Sequence, residues 1–247
     1  MKLIIKNALS TLAIVASTVA IASGQTYHPL PSTDNVINKM MEFDAQRQSQ
    51  MTGYTALRHY SAVNHSRHAD MLVQVTCGSD GAKQFDVLSE EGSGSIRKHV
   101  FRKLLSEETE ATRRRERRDT RIIPANYDFK VIGQEPLATG PAYVLEVSPK
   151  TENKYLIRGK IWVDANDYSI VRIEGQPARN PSFWVRSVHF VHTYQKVGPF
   201  WFASSTHTTS EIRIFGEAEL TIENSAYTLI PPKDRTAQIE SQASLLP

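Results

Sequence analysis

The chain has 247 residues, of which 29 are Lys or Arg and 26 are Asp or Glu, so its formal net charge is only +3. This balance excludes a general electrostatic argument for a polyanionic partner, and we predict no nucleic-acid binding. The single cysteine, Cys77, excludes an internal disulfide, so stability must come from a buried apolar core.

The N-terminal segment has the pattern of a secretory signal peptide. Two lysines precede an uncharged run, residues 8–23, that ends in small side chains. The alternative, a transmembrane anchor, is disfavoured because the run is shorter than the roughly 20 apolar residues that a bilayer needs and is diluted by Ser and Thr. We therefore predict that residues 1–24 are removed and that the mature chain begins near Ser23 or Gln25. The protein is then periplasmic, and it is not lipidated because no cysteine follows the segment.

The rest of the chain is predicted to form one domain, residues 25–232. No Gly/Ser or Pro linker long enough to divide it is present, and large sheet proteins of this size are commonly single domains. Residues 233–247 have no strong hydrophobic period, so we predict a loosely ordered tail there.

Two amphipathic helices are predicted. The first lies in TDNVINKMMEFDAQRQ, whose apolar residues fall largely along one side, with Thr33 or Asp34 as the N-cap. The second begins in SIRKHVFRKLL, with Ser95 as its cap. Its apolar stripe consists of Ile96, Val100, Phe101, Leu104 and Leu105.

The remaining segments have the period of two that is typical of strands. HADMLVQVTC is the clearest, with every second residue from Ala69 to Cys77 apolar. About ten such segments follow one another through short connections, which favours one large antiparallel sheet. A sheet of that size curls or closes. The predicted fold class is therefore α+β, with a large curved antiparallel sheet, or half-open barrel, that wraps two or more helices.

The histidines and Cys77 give little sign of catalysis or metal binding. The pairs His65/His68 and His189/His192 have the spacing His-x-x-His, but residues three apart on a strand face opposite sides, and no third ligand is marked near the first pair. Cys77 ends an apolar strand face, where a buried, inert thiol is expected.

No nucleophile elbow, phosphate-binding loop or His-Glu-x-x-His motif occurs. We predict a non-enzymatic protein without a catalytic site, metal or cofactor. A hydrolase that uses His189 or His207 is the least favoured hypothesis.

A cluster of arginines follows the second apolar stripe. They fall within six successive residues, 113–118. Six residues of a helix wind more than about one and a half turns, so the charge of these arginines would encircle the helix. One interpretation is a solvated helix end. The functional one is contact with anionic headgroups or with an acidic envelope protein, since each basic group near an anionic surface contributes about 1 kcal/mol. The cluster consists of Arg113, Arg114, Arg115, Arg117 and Arg118.

Aromatic residues are concentrated in the later strands. The predicted hairpin GKIWVDANDYSIVRIEG has apolar groups on both faces, because Ile161 and Val163 share one side and Trp162 lies on the other. Most of these aromatic residues are expected in the core, but as a set they exceed what a one-sided sheet easily buries. The candidates for lining a ligand cavity are Trp162, Trp184, Phe190, Trp201 and Phe202.

The segment GKIWVDANDYSIVRIEGQPARNPSFWVRSVHFVHTYQKVGPFWFASS resembles the LolA/LolB-like family of periplasmic lipoprotein carriers and receptors, which includes RseB-type regulators. The resemblance lies in a hairpin whose strands end in IWVD and VRIEG, followed by a long strand and by a strand that opens after Gly198. It implies a half-open antiparallel barrel closed by helices, whose cavity binds acyl chains or lipoproteins. The arginine cluster has no counterpart in the family pattern.

Two functional hypotheses follow. The first is an exported binding protein that holds a lipid or a lipoprotein acyl chain in a hydrophobic cavity, in its narrowest form a protein of outer-membrane lipoprotein sorting. The alternative is an envelope-stress or regulatory protein with the same fold, which docks a membrane surface or an envelope protein through the arginine cluster.

Overall fold

A computed structural model describes residues 29–65, 67–113, 120–183, 185–213 and 216–232, without the side chains of residues 110–113. The predicted signal peptide, the predicted tail, Trp184 and the arginines from 114 to 118 lie outside the described residues, and of Arg113 only the backbone is described. None of the helices in the described ranges is both long enough and apolar enough to span a bilayer.

The described residues form two helical regions and ten strands. Helix α1 comprises Thr33–Gln50, and the second helical region consists of α2 (Gly94–Ile96), a π-helical turn (Arg97–Phe101) and α3 (Arg102–Arg113). The strands are β1 (Gly53–Asn64), β2 (Arg67–Gly78), β3 (Lys83–Gly92), β4 (Tyr127–Leu137), β5 (Gly140–Pro149), β6 (Ile157–Asp164), β7 (Ile170–Pro177), β8 (Val185–Val197), β9 (Phe200–Ile212) and β10 (Gly216–Leu229).

All ten strands belong to one antiparallel sheet in the order β3-β2-β1-β10-β9-β8-β7-β6-β5-β4. The predicted α+β class and the hairpin-linked antiparallel sheet are confirmed. The pairing of β1 with β10 is the exception to sequential order, and it adds the first three strands beside the last one. The sheet is open, since β3 and β4 are its two edges; the wrapping of a half-barrel around the helices stays a prediction.

Both helical regions lie on the same face of the sheet. Laterally paired residues project to the same side, and one row of paired residues crosses all ten strands. Its second and third members, Met71 and Tyr60, pack with Phe101 of the second helical region, while Leu145 and Ile161 near its other end pack with α1. The row consists of Glu90, Met71, Tyr60, Ile222, Thr206, His192, Ile173, Ile161, Leu145 and Val131.

The helix-covered face holds two separate core clusters. Under α1, Val36, Ile37 and Met40 pack on side chains of β4 to β8. Under the second helical region, Ile96, Phe101 and Leu105 pack on β1 and β2. Full burial of such a side chain contributes about 1.5–3 kcal/mol, so each cluster is a substantial share of the stability.

The helix starts differ from the prediction. Ser32 is the N-cap of α1 because it has the extended backbone that a cap needs, and its hydroxyl accepts a hydrogen bond from the Asn35 N–H (3.2 Å). Thr33 lies inside the helix instead. The second region begins at Gly94, with Ser93 as its N-cap residue. The Ser93 N–H donates a hydrogen bond to the His68 carbonyl (2.7 Å), which fixes the chain to β2 just before the helix begins. Ser95 is therefore not its cap.

The π-helical turn corrects the predicted apolar stripe. A π-turn spaces facing residues five apart rather than four, and Ile96 and Phe101 are both buried at that spacing. Leu105 follows four residues later and is buried as well. Val100, which the α-helical spacing placed on the stripe, is instead 36% exposed.

Two paired glycines let β6 and β7 approach closely. A Cβ atom on Gly159 would lie 2.1 Å from the carbonyl oxygen of Glu174 and 2.6 Å from the Cα of Gly175. Any larger residue would force the strands apart. Phe190 is the register partner of Gly175 on β8 and is buried in the cluster under α1.

Candidate functional site

The structure shows what covers Trp162. This residue pairs with Val144, next to the Leu145–Ile161 pair that faces α1, so it projects to the opposite face of the sheet. It is only 5% exposed, because Val144 and Val171 pack against it. Its indole N–H donates a hydrogen bond to Glu135 (2.8 Å), and the Arg172 guanidinium lies 4.9 Å from the ring centroid. Neighbouring strands alone therefore account for its burial.

The other described cavity candidates lie in three different places. Phe190 belongs to the core under α1. Phe202 stacks on Tyr227 with ring centroids 4.7 Å apart. Trp201 lines a surface cleft, and its indole N–H donates to Asp167 (2.8 Å). Trp201 also packs against the cluster that contains Trp162, so these two candidates lie near each other. The four residues are not gathered in one cavity, and a ligand contact by any of them stays a prediction.

Trp201 borders a cleft on the helix-covered face, which we call the methionine cleft. It has a volume of about 400 Å³ and lies between the C-terminal half of α1 and strands β7 to β9. Charged contacts line it: Arg121 pairs with Asp44, and Arg47 donates to the Asp167 carbonyl (2.8 Å). Its apolar lining consists of Met40, Met41, Met51, Ile122, Ile170, Ile173, Tyr194, Phe200 and Trp201.

Another cleft on this face, which we call the valine cleft, lies between the start of the second helical region and strands β1, β2, β8, β9 and β10. Its volume is about 300 Å³. Val100, on the second helical region, is 36% exposed there. The apolar lining consists of Ala62, Val63, Ile96, Val100, Val185, Ile212, Ala218 and Leu220. The polar lining consists of Asn64, Arg67, Ser95, His99, Thr208, Ser210 and Glu219.

A partly buried ionic network connects α3 to strands β1 and β3. Arg58 on β1 is only 8% exposed, and it donates to Glu108 of α3 (2.7 Å), to Asn224 (2.7 Å) and to the Tyr60 hydroxyl (3.1 Å). Lys83 of β3 donates to the other oxygen of Glu108 (2.6 Å). Burial alone would raise the pKa of the Glu108 carboxyl, but Lys83 and Arg58 hold that pKa below its usual value.

The sequence prediction missed this network, although the alternation contains its signal. Ala56, Arg58, Tyr60 and Ala62 occupy alternate positions of β1, and all four are buried. An arginine in the middle of a buried strand face requires an acidic or strongly hydrogen-bonding partner. The partner lies 50 residues away on a helix, so no local spacing identifies it.

The histidines are distributed over both faces of the sheet. His192 lies in the row that faces the helices, with its Nδ1 2.6 Å from the Thr206 hydroxyl, and burial lowers its pKa. The Nε2 of His189 is 3.7 Å from Glu174, and the Nδ1 of His207 is 3.2 Å from the Thr221 hydroxyl. Cys77 is buried at the end of β2. Within the part of the chain that the structure describes, no group of three or more His, Cys, Asp or Glu side chains is arranged to hold a metal ion.

No protein-family model and no curated protein matches the chain. Three solved structures that match it are a DUF1329 family protein from Desulfovibrio piger, an outer membrane lipoprotein-sorting protein domain from Vibrio parahaemolyticus, and the MucA/MucB complex of Pseudomonas aeruginosa.

The Desulfovibrio protein is 14% identical, with 84% of this chain and 99% of that chain covered and a TM-score of 0.43. For the Vibrio domain the identity is 12%, the coverage 83% and 98%, and the TM-score 0.41. For MucB the identity is 10%, the coverage 80% and 98%, and the TM-score 0.26. The matches include the kinds of protein that the sequence resemblance named, a lipoprotein-sorting protein and an RseB-type regulator. At these values they identify no ligand or partner for this chain.

Proposed function

We propose that the protein is an exported, periplasmic and non-enzymatic binding protein that holds the acyl chain of a lipid or lipoprotein in the valine cleft. The observation that carries this proposal is that most of the surface exposed in the cleft is apolar, with Val100 partly exposed along it. Transfer of an acyl chain from water releases about 0.8 kcal/mol per methylene, so an apolar cleft binds such a chain without any charged contact.

The methionine cleft fits an acyl chain less well. The Arg121–Asp44 pair and the Arg47 contact belong to its lining. An acyl chain seated there would remove water from these charged groups without replacing their hydrogen bonds, which opposes binding. The valine cleft has Arg67 and Glu219 as its charged lining residues, and the apolar share of its exposed surface is larger than that of the methionine cleft.

The test is titration of the purified mature protein with a fluorescent fatty acid. Val100→Glu introduces a carboxylate into the cleft at a position that is already 36% exposed, so folding should survive. We expect a loss of at least about tenfold in affinity, because the carboxylate must be desolvated or the chain displaced. Leu88→Glu is the matched control, since Leu88 is 54% exposed on edge strand β3 and does not line the cleft. Equal affinity of the two variants would exclude the valine cleft as the binding site.

A role in outer-membrane lipoprotein sorting is the narrowest form of the proposal, and it requires an acylated protein or peptide as the natural ligand. If the protein takes up no fatty acid at all, the regulatory alternative replaces it, in which the same fold docks an envelope protein.

A further inference from the structure

Three connections meet at one end of the sheet and border an open cavity of about 770 Å³. They are the β5–β6 connection, the β7–β8 connection and the turn after β9. Two hydrogen bonds hold the connections in place: the Ala178 N–H donates to the Leu156 carbonyl (2.7 Å), and the Arg213 Nε donates to the Phe183 carbonyl (2.8 Å). The cavity is thus bordered by segments that are bonded to one another.

Two aromatic residues of this cavity are more exposed than the other large hydrophobic residues that the structure describes. Phe183 is 73% exposed and Tyr155 is 57% exposed. Each carries a cation over its ring: the Arg213 guanidinium is 4.6 Å from the Phe183 centroid, and the Lys154 ammonium is 4.7 Å from the Tyr155 centroid. An aromatic ring beside a long cationic side chain is suited to the boundary between water and lipid, where the ring enters the apolar layer and the charge stays among the headgroups.

The charges of the cavity have one predominant sign. Lys154, Arg179 and Arg213 belong to its lining, and the acidic residue there, Glu152, is paired with Arg158 (2.8 Å). The cavity therefore presents three basic groups without an equal number of available acids. Such a surface attracts anionic phospholipid headgroups.

We infer that this surface, formed by Lys154, Tyr155, Arg179, Phe183 and Arg213, docks the protein on a bilayer that contains anionic phospholipid. It is a different surface from the arginine cluster after α3. Charge complementarity selects the anionic lipid, and the two exposed rings select a bilayer over a soluble acidic peptide, because only the bilayer offers an apolar layer for both rings.

The docking surface adjoins the proposed ligand site. Val185, two residues after Phe183, belongs to the lining of this cavity and also to that of the valine cleft. Resting on the proposed function, the docked protein presents the valine cleft next to the lipid, where an acyl chain passes between bilayer and cleft over a short path.

The test is co-sedimentation of the mature protein with two kinds of vesicle, one of phosphatidylglycerol and phosphatidylcholine in equal amounts and one of phosphatidylcholine alone. We expect binding to the anionic vesicles, weakened by salt. Phe183→Ser with Tyr155→Ser should lower the partition coefficient by about tenfold, and Lys154→Gln or Arg179→Gln by about fivefold each.

Matched controls separate the surface from general effects. Leu88→Ser removes another exposed apolar residue, and Lys103→Gln removes a cation that is 69% exposed on α3. Both controls should bind as the unmodified protein does, and the melting temperature shows that every variant is folded. Absence of vesicle binding, or equal losses in variants and controls, would overturn the docking surface.

The experiment also distinguishes this inference from the proposed function. The Phe183/Tyr155 double variant should keep its affinity for fatty acid in solution, while Val100→Glu should keep its vesicle binding. Vesicle binding without any fatty-acid binding would leave the docking surface standing and remove the acyl-binding proposal; the reverse result would remove the docking surface alone.

Discussion

The two helical regions pack on the same face of the sheet through different kinds of contact. The centre of the α1 contact is apolar, with Val36, Ile37 and Met40 buried against the strands. The second region combines apolar packing with an ion pair between the buried Arg58 and the partly buried Glu108. A buried ion pair adds little net stability compared with apolar packing, but loss of one partner is costly. The difference indicates that α1 covers the apolar side chains of its half of the sheet, whereas the ionic network fixes the position of α3.

A π-turn adds to this contrast. It occurs in the second helical region alone among the described helices, and it leaves Val100 facing the valine cleft rather than the core. The half of the sheet under the second helical region therefore also contains the cleft with the larger apolar share of exposed surface.

Removal of apolar volume under α1 should have the largest effect on stability. Met40 is 2% exposed in the cluster under α1, so Met40→Ala leaves a cavity and should lower the free energy of unfolding by about 3 kcal/mol. Met41→Ala is the matched control, since Met41 is only half-buried at the border of the same cluster, and its loss should be about 1 kcal/mol. Urea unfolding followed by circular dichroism measures both values. Equal losses of unfolding free energy in the two variants would contradict the view that α1 covers a buried apolar core.

Removal of one charge from the network should have a somewhat smaller effect. Glu108→Gln leaves the buried Arg58 without its counter-charge, and the expected loss is about 2 kcal/mol, because Gln still offers one acceptor. The neighbouring Glu107 is 48% exposed, and Glu107→Gln should cost less than about 0.5 kcal/mol. The same urea unfolding experiment compares the two variants. A Glu108 variant as stable as the Glu107 variant would show that the network does not hold α3.

The pH dependence of the network should give the smallest and most specific signal. The pKa of Glu108 is lowered in the folded protein, so its stabilising contribution is complete above the unfolded-state value of about 4.5 and is lost as the pH falls through the lower folded-state pKa. The stability difference between the unmodified protein and Glu108→Gln should therefore narrow at acidic pH. A difference that stays constant from neutral to acidic pH would mean that the ionised carboxylate is not what holds Arg58.

Local sequence patterns predicted the strands and the helices well. In β2 every second residue from Ala69 to Cys77 is buried, as the alternation of the sequence predicted. Successive side chains of a strand point to opposite faces, so a strand with one covered face has apolar residues at every second position. The hairpin of β6 and β7 was likewise visible, and so was the presence of apolar groups on both of its faces. The paired glycines that allow the strands to approach were part of the quoted stretch, but their contact appears only in the folded sheet.

Features that join distant parts of the chain were not predictable in this way. The pairing of β1 with β10 joins residues that are more than 150 positions apart in the sequence, and the Arg58–Glu108 pair joins a strand to a helix. The valine cleft depends on the π-turn, which shifts Val100 by one position relative to the α-helical pattern. Aromatic residues suggested one cavity, yet the described candidates do not meet in one, because their partners lie on different elements: Phe190 packs in the cluster under α1, Phe202 stacks on Tyr227, and Trp201 packs against the cluster of Trp162.

Native mass spectrometry of the mature protein purified from a periplasm tests the acyl-binding proposal most directly, with solvent extraction and identification of bound molecules. We expect a lipid or an acylated peptide to co-purify with the unmodified protein and with Leu88→Glu, and to be absent from Val100→Glu. An empty unmodified protein that also takes up no fluorescent fatty acid would contradict acyl binding, and equal loading of all three proteins would contradict its location in the valine cleft.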